Sequence, residues 1–329
     1  MGNDIKSQHK SRHQRANGAR ALRRSIQEIT PENSHQQTQS PLFSTLPSEI
    51  RNLIFEYALC ECQDETDPVD SQSRHFRPGH EYKTRIETAL LQTCRLIYYE
   101  AQAIPLRSAT HHLFAFTGTG SKIDWDHYIF HLTKQQGQNL YHLHDIMGMI
   151  GFARLSKYLK HTHLQWRKIT WTIRTSLWGP LLAPPSAYLE LDGSLRALRF
   201  PVSCQEVNIE LETLENGATE LRTAVEDFAA MCRKIKMRRR DDTYIPFDSA
   251  GSFEYTWTGF SPSPTQHGTY DELAHTGPPL TVTYHVIRLR WHSGVPTREY
   301  ANYDNLNCLS SRLAKVVTRQ STESAAQSR

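Results

Sequence analysis

The chain has 329 residues, 38% of them hydrophobic and 10% aromatic, enough to bury a substantial core. No apolar run approaches the ~20 residues a membrane-spanning helix requires, and six cysteines with no regular spacing fit reduced thiols rather than a disulfide framework. The net charge of +4 sits wholly in residues 1–40, which hold seven Lys/Arg against three Asp/Glu, while the rest holds 31 of each, so the body lacks the basic bias of a dedicated DNA-binding domain.

Residues 1–40 are rich in Gln, Ser, His, Arg and Asn, cannot repay the entropy of folding, and are expected to form a disordered arm. Lys6, Lys10, Arg12, Arg15, Arg20, Arg23 and Arg24 would suit nuclear import or polyanion binding, against the plainer reading of a solvated tail. The N-terminus lacks the apolar core of a secretory signal, so the expected location is cytoplasmic or nuclear, with no membrane partner.

From Pro41 to Leu59 the spacing predicts a helix with Pro47 at its first position. Its apolar stripe runs through Leu46, Ile50, Leu53, Ile54, Tyr57 and Ala58, with Glu49, Arg51, Asn52 and Glu56 toward water. So short a helix must bury its stripe against a later element. The candidate is a second helix over 85–104, opened by a Thr84–Glu87 capping box, carrying Leu90, Cys94, Ile97, Tyr98 and Ala101 inward, and ended by Pro105. Residues 61–80 between them read as an acidic, proline-interrupted loop.

Farther on, 111–116 reads as a strand before the turn Gly118–Gly120, and helices are expected through Trp125–Leu132 and over 138–163. The segment 168–175 alternates as a half-buried strand with Ile169, Trp171 and Ile173 inward, and 205–212 alternates with Val207, Ile209 and Leu211 inward. Residues 178–201 read as loop, 218–237 as helix, and 253–257 and 280–292 as strands. In the last, the inward set shifts phase between Val286 and Ile287, which predicts a β-bulge. A short helix through Leu306, Leu309, Leu313 and Val316 precedes a polar tail. The expected fold class is α+β, a mostly antiparallel sheet with packed helices. Its organisation would be an arm at 1–40, a single domain at 41–295, and a short helix and tail at 296–329.

Motifs that carry chemistry are sparse. His142-x-His144 and His161-x-His163 have the look of metal-ligand pairs, but i, i+2 residues point together only on a strand, and neither segment reads as one. Cys60-x-Cys62 with His75 or His80 is better read as free thiols. His127 and His131 lack the glutamate of a metalloprotease helix, Tyr128 standing in its place. The Gly118–Lys122 turn lacks phosphate-loop spacing, and neither a nucleophile elbow nor a dinucleotide fingerprint is present. No cofactor and no enzymatic activity are expected. Arg233, Lys234, Lys236, Arg238, Arg239 and Arg240 place six basic residues in eight positions, either complementing a helix C-terminus or forming an import or phosphate-binding patch.

Several segments together resemble a known family. LPSEIRNLIFEYAL (46–59) is similar to the opening of F-box-like domains, and Glu49-Ile50-Arg51 matches the E-x-R form found in large fungal families. LLQTCRLIYYEA (90–101) resembles their second element, T-C-R-x-I-Y-x-E-A, filled here by Thr93, Cys94, Arg95, Ile97, Tyr98, Glu100 and Ala101. Residues 209–221, 255–260 and 284–291 resemble later parts of one fungal group of unknown function. The resemblance spans residues 41–292. It implies an F-box-like helical element that binds a Skp-type adaptor while the remainder recruits a target for ubiquitination. The anchor patch would be Leu42, Phe43, Leu46, Pro47 and Ile50. The chain departs from an ordinary F-box in the 25 or so residues separating the two matching helices. Readings of another class are a polyanion or nucleic-acid binder using the basic arm, and a structural protein; nucleic acid is the less expected partner.

Overall fold

The apolar stretch after Ser40 forms two helices rather than one. Helix α1 (Pro41–Ser44) starts on its proline; α2 (Ser48–Leu59) follows with Pro47 as its N-cap residue. These elements belong to a computed structural model that describes residues 28–70, 76–114, 129, 132–147, 152–174, 195–215, 234–248, 253–260 and 281–294. Where the sequence reads as one block from 41 to 295, the chain divides into two units. One comprises Met1–Cys60 and Ile86–Pro105, the other Glu61–Arg85 and Leu106–Arg329.

In the first unit a 3-10 turn (Ala89–Gln92) leads into α3 (Arg95–Ala101), and α4 (Ile104–Ser108) starts within that unit and runs past its boundary at Pro105. The expected capping box at Thr84–Glu87 does not form. Cys94 caps α3 instead, its sulfur accepting from the Ile97 N–H at 3.5 Å, while the Thr93 hydroxyl donates to the Leu90 carbonyl at 2.7 Å. Pro105 does not end a helix but sits in the first turn of α4, where a missing N–H costs nothing. Phe55, Leu59, Ile97, Ala101 and Ile104 form the core, with Leu42, Phe43, Leu90, Leu91 and Cys94 packed on it. The two motif-bearing helices are thus packing partners as expected, but through a different face of α2.

The second unit holds a ribbon and a sheet. The acidic stretch read as loop is strand β1 (Glu61–Pro68), paired with β2 (Tyr82–Ile86). Opposite charges favour the pairing: Lys83 Nζ lies 2.9 Å from Asp67, and Arg85 lies 3.7 Å from Asp64. The main sheet has six strands in the order β3-β4-β5-β6-β10-β9. These are β3 (Thr110–Phe114), β4 (His142–Met147), β5 (Lys168–Arg174), β6 (Glu206–Leu214), β9 (Phe253–Phe260) and β10 (Thr281–His292). Among the described residues a two-stranded piece, β7 (Met237–Arg238) with β8 (Tyr244–Ile245), completes the strands.

The α+β class therefore holds, with antiparallel pairing in β6–β10–β9 and β7–β8. Strands β3 to β6 pair in parallel, which the sequence reading did not anticipate. The connections between them explain it, since each is at least twenty residues long, and a parallel crossover needs a dozen or more. Residues 138–163, read as one helix, hold β4 and then α6 (Phe152–Lys160); the short α5 (Lys134–Gly137), with a Thr133–Gln136 capping box, precedes them. No bulge interrupts β10. Its register against β6 runs one to one from Tyr284↔Leu214 to His292↔Glu206. Val286 and Ile287 point to opposite faces and both are buried, because both faces of this strand are covered.

One sheet face carries Leu143, Ile169, Trp171, Ile173, Val207, Ile209, Leu211, Leu289 and Trp291 into a core shared with Leu155, Tyr158, Leu159 and Trp166. Trp291 Nε1 donates to the Ile235 carbonyl at 3.0 Å, which satisfies the indole there. Residues 28–40, expected within the arm, form turns about Pro31, with the Ser34 hydroxyl donating to the Thr30 carbonyl. Residues 1–27, the Gly118–Gly120 turn, the Trp125–Leu132 helix except Ile129 and Leu132, most of 178–201, the part of the 218–237 helix up to 233, and everything after 294 lie outside the described residues.

Candidate functional site

Helix α2 has two apolar faces, and it buries the smaller. Phe55 and Leu59, four apart, enter the core, and Arg51 one turn earlier lies on the same side. Arg51 does not face water as expected. Its Nε and Nη2 donate to the two carboxylate oxygens of Glu100 on α3 at 3.1 and 2.9 Å, Nη1 donates to the Leu46 carbonyl at 2.9 Å, and the guanidinium lies over the Phe43 ring. The arginine of E-x-R and the glutamate of Y-x-E-A, 49 positions apart, therefore clamp the two helices with a bidentate bond.

The larger apolar stripe is left outside. Ile50, Leu53, Ile54 and Tyr57 are 43, 61, 41 and 50% exposed at spacings of three, four and seven, with Tyr99 of α3 also exposed. This overturns the expectation that the stripe is core. Leu42 and Phe43 pack on the core and are half-buried; Leu46 is half-buried; Pro47 and Ile50 are exposed. Leu53, Ile54 and Tyr57 are exposed although the sequence reading assigned them inward. The signal for them was present: Phe55 and Leu59 form a competing stripe that, with Arg51, matches the neighbouring helix better.

The sheet unit shows the opposite inversion. Its second face carries His142 and His144 of β4, Thr170 and Thr172 of β5, and Glu206, Asn208, Glu210 and Glu212 of β6, which β10 extends with Arg288 and Arg290. Thr170, Thr172 and all four β6 side chains are buried. Arg77 lies against this face, its Nη2 donating to Glu210 at 3.1 Å, and Arg288 donates twice to the other Glu210 oxygen at 2.9 and 2.7 Å. Since the Thr172 hydroxyl gives its single proton to Glu210 at 2.6 Å, it accepts from His144 Nε2–H at 2.9 Å, which fixes that tautomer. A second row runs from Lys168 to Glu206 (3.1 Å), from Asn208 to Glu206 and Thr170 (2.7 and 3.3 Å), and through His142 to Thr110 (2.8 and 3.1 Å).

Electrostatics make these groups weak bases. Burial alone would raise Glu210, but Arg77, Arg288 and the Thr172 hydroxyl hold its carboxyl below the usual range. Burial pushes His111 down to about 4, and burial with His80 and Arg77 beside it pushes His112 down to about 3. His142 and His144 are lowered far below the ordinary imidazole value, chiefly by burial. His144 Nε2 lies 3.9 Å from Glu210, yet burial and Arg77 keep the ring uncharged, so this is not an ion pair. A base so weak takes up a proton poorly near neutral pH.

The other sequence candidates fall as follows. His142 and His144 do share a strand face, their rings stacked 5.9 Å apart, contrary to the expectation that neither pair sits on a strand. Their nearest polar partners are threonines, and among the described residues no group of three or more His, Cys, Asp or Glu could hold a metal ion. His161 and His163 meet edge to face beyond α6. Cys60 and Cys62 donate to the carbonyls of Tyr57 and Arg85. Burial pushes the Cys204 thiol up to about 12.

In the basic cluster, Lys234 and Lys236 are exposed and Arg233 lies outside the described residues. The described part of the segment runs into strand β7, and the stretch from 218 to 233 of the expected helix lies outside the described residues. Arg238 pairs with Asp242 at 2.7 Å, Arg239 donates to the Cys204 carbonyl, and Arg240 donates to the Leu159 carbonyl in the last turn of α6 and to the His161 and Thr162 carbonyls just beyond it. Among the described residues no helix is long and apolar enough to cross a membrane. No family model, curated protein or solved structure matches this chain.

Proposed function

We propose that the protein is a non-enzymatic interaction module whose helical unit docks a partner through the outer face of α2. The observation that carries this reading is the stripe of Ile50, Leu53, Ile54 and Tyr57, at the spacing of a helix-packing seam, left in solvent while the opposite face is clamped by Arg51 and Glu100. Large apolar residues grouped on one short helix favour association. The F-box-like motifs give the partner: a Skp-type adaptor on α2, with the sheet unit presenting a target for ubiquitination. The weak bases and hydrogen-bonded hydroxyls of the sheet face favour a binding role over acid–base chemistry.

The test is a pull-down of the full chain with a Skp-type adaptor. Leu53→Asp and Ile54→Asp abolish capture, and Ser48→Asp, beside the stripe, leaves most of it. Recovery of adaptor by a folded Leu53→Asp protein at wild-type level would remove the ubiquitin-ligase reading. The polyanion reading gains nothing from Arg238, Arg239 and Arg240, whose donors serve the fold.

A further inference from the structure

Among the described residues, the two edge strands of the main sheet differ. β3 is five residues long, and its first N–H, on Thr110, donates to the Glu61 carboxylate at 3.0 Å. β9 is eight residues long, pairs residue for residue with β10 from Phe253↔Arg288 to Phe260↔Thr281, and contains no proline, no lysine and no bulge. Proline, lysine and bulges are among the devices that ordinarily blunt edge strands, because a long regular edge is a template for another strand. Phe253, 57% exposed, stands on this edge, with Glu254, Thr256 and Thr258 also exposed.

We infer that β9 is a self-association edge, and that two copies of this chain join their sheets by antiparallel β9–β9 pairing about a two-fold axis. Residues directly opposite across such a pair point to the same side of the sheet, so odd positions meet odd and even meet even. Centred on Thr256, the register sets Thr256 against Thr256, Glu254 against Thr258, Tyr255 against Trp257 and Phe253 against Gly259. Each contact is favourable. Aromatic pairs and hydroxyl pairs stabilise neighbouring strands, and the one charged residue of β9 meets a neutral threonine. Phe253 comes over a glycine whose side is already occupied by the Trp257 ring, 2.2 Å from where a Cβ would stand, so it gains an aromatic surface. The pairing is isologous and closes at two copies.

So small an interface dissociates in the range of about 10–100 μM, so sedimentation velocity of the full chain over that range reads it. Thr256 is exposed, and its replacement leaves the fold intact. Thr256→Lys or Thr256→Glu sets like charges against each other at the axis and weakens the dimer at least about tenfold. A one-to-one mixture of the two variants restores a dimer close to wild-type strength. Leu53→Asp leaves self-association unchanged, which separates this edge from the α2 face. A wild-type chain that stays monomeric throughout the range, single variants that dimerise like wild type, a mixture that fails to recover, or loss of the dimer in Leu53→Asp would each overturn the proposal.

Discussion

The helical unit and the sheet unit invert the ordinary rule in opposite senses. The first leaves Ile50, Leu53, Ile54 and Tyr57 in water; the second buries Glu206, Asn208, Glu210, Glu212, Thr170 and Thr172. The difference lies in what each side chain meets. Buried carboxylates persist because guanidinium, ammonium, amide and hydroxyl donors surround them, and apolar side chains stay outside where the small cluster around Phe55 offers only one face to pack on. Exposed grease is a reason to look for a partner. Buried charge, once satisfied, is part of the scaffold.

The sharpest way to break the comparison is Glu210→Ala. It strands Arg77 and Arg288 without their shared carboxylate and is expected to cost about 3–5 kcal/mol, read by urea unfolding. A loss under about 1 kcal/mol would show that the network contributes little to stability.

Acid is the next lever. A histidine lowered in the folded state binds fewer protons than in the unfolded chain, so its contribution is complete above pH 6.5 and is lost as pH falls toward the folded value. For the well-enclosed His111 the expected loss between pH 7.5 and 5 is about 2 kcal/mol, with His112, His142 and His144 acting in the same direction. Stability flat across that interval would contradict their neutral, enclosed state.

In the helical unit, Arg51→Ala or Glu100→Ala should cost about 1.5–3 kcal/mol, with a double mutant close to either single change. Additive losses would mean that the two side chains act independently. Smallest of all is Leu53→Asp, expected to move stability by no more than about 0.5 kcal/mol while abolishing partner capture. A large destabilisation there would make the stripe part of the fold after all.

Much of this was legible in the residues. The inward sets of β5 and β6, the extended 281–292 segment and the packing of the helix after Ser48 against the one after Cys94 follow from periodicity alone. What failed shares one cause: pattern reading treats polar positions as solvent-facing. Thr170 and Glu210 were read outward because they alternate with apolar neighbours, and β4 was missed because its alternating members are histidines. A donor–acceptor match between rows, His-x-His beside Thr-x-Thr beside Glu-x-Asn-x-Glu-x-Glu beside Arg-x-Arg, was the available clue. The α2 face failed for the converse reason. Two stripes on one helix cannot be ranked without knowing the neighbour, and Glu100, 49 positions on, decided it.

Strand β10 lies between β6 and β9, though it follows both in the chain. A ribosome therefore releases β6 long before the strand that completes its pairing. Until Arg288 emerges, Glu210 at the end of the nascent sheet has Arg77 alone as its guanidinium partner. Synthesis halted before residue 281 would give a product that keeps the helical clamp yet lacks the central seam of its sheet, a natural substrate for quality-control proteolysis.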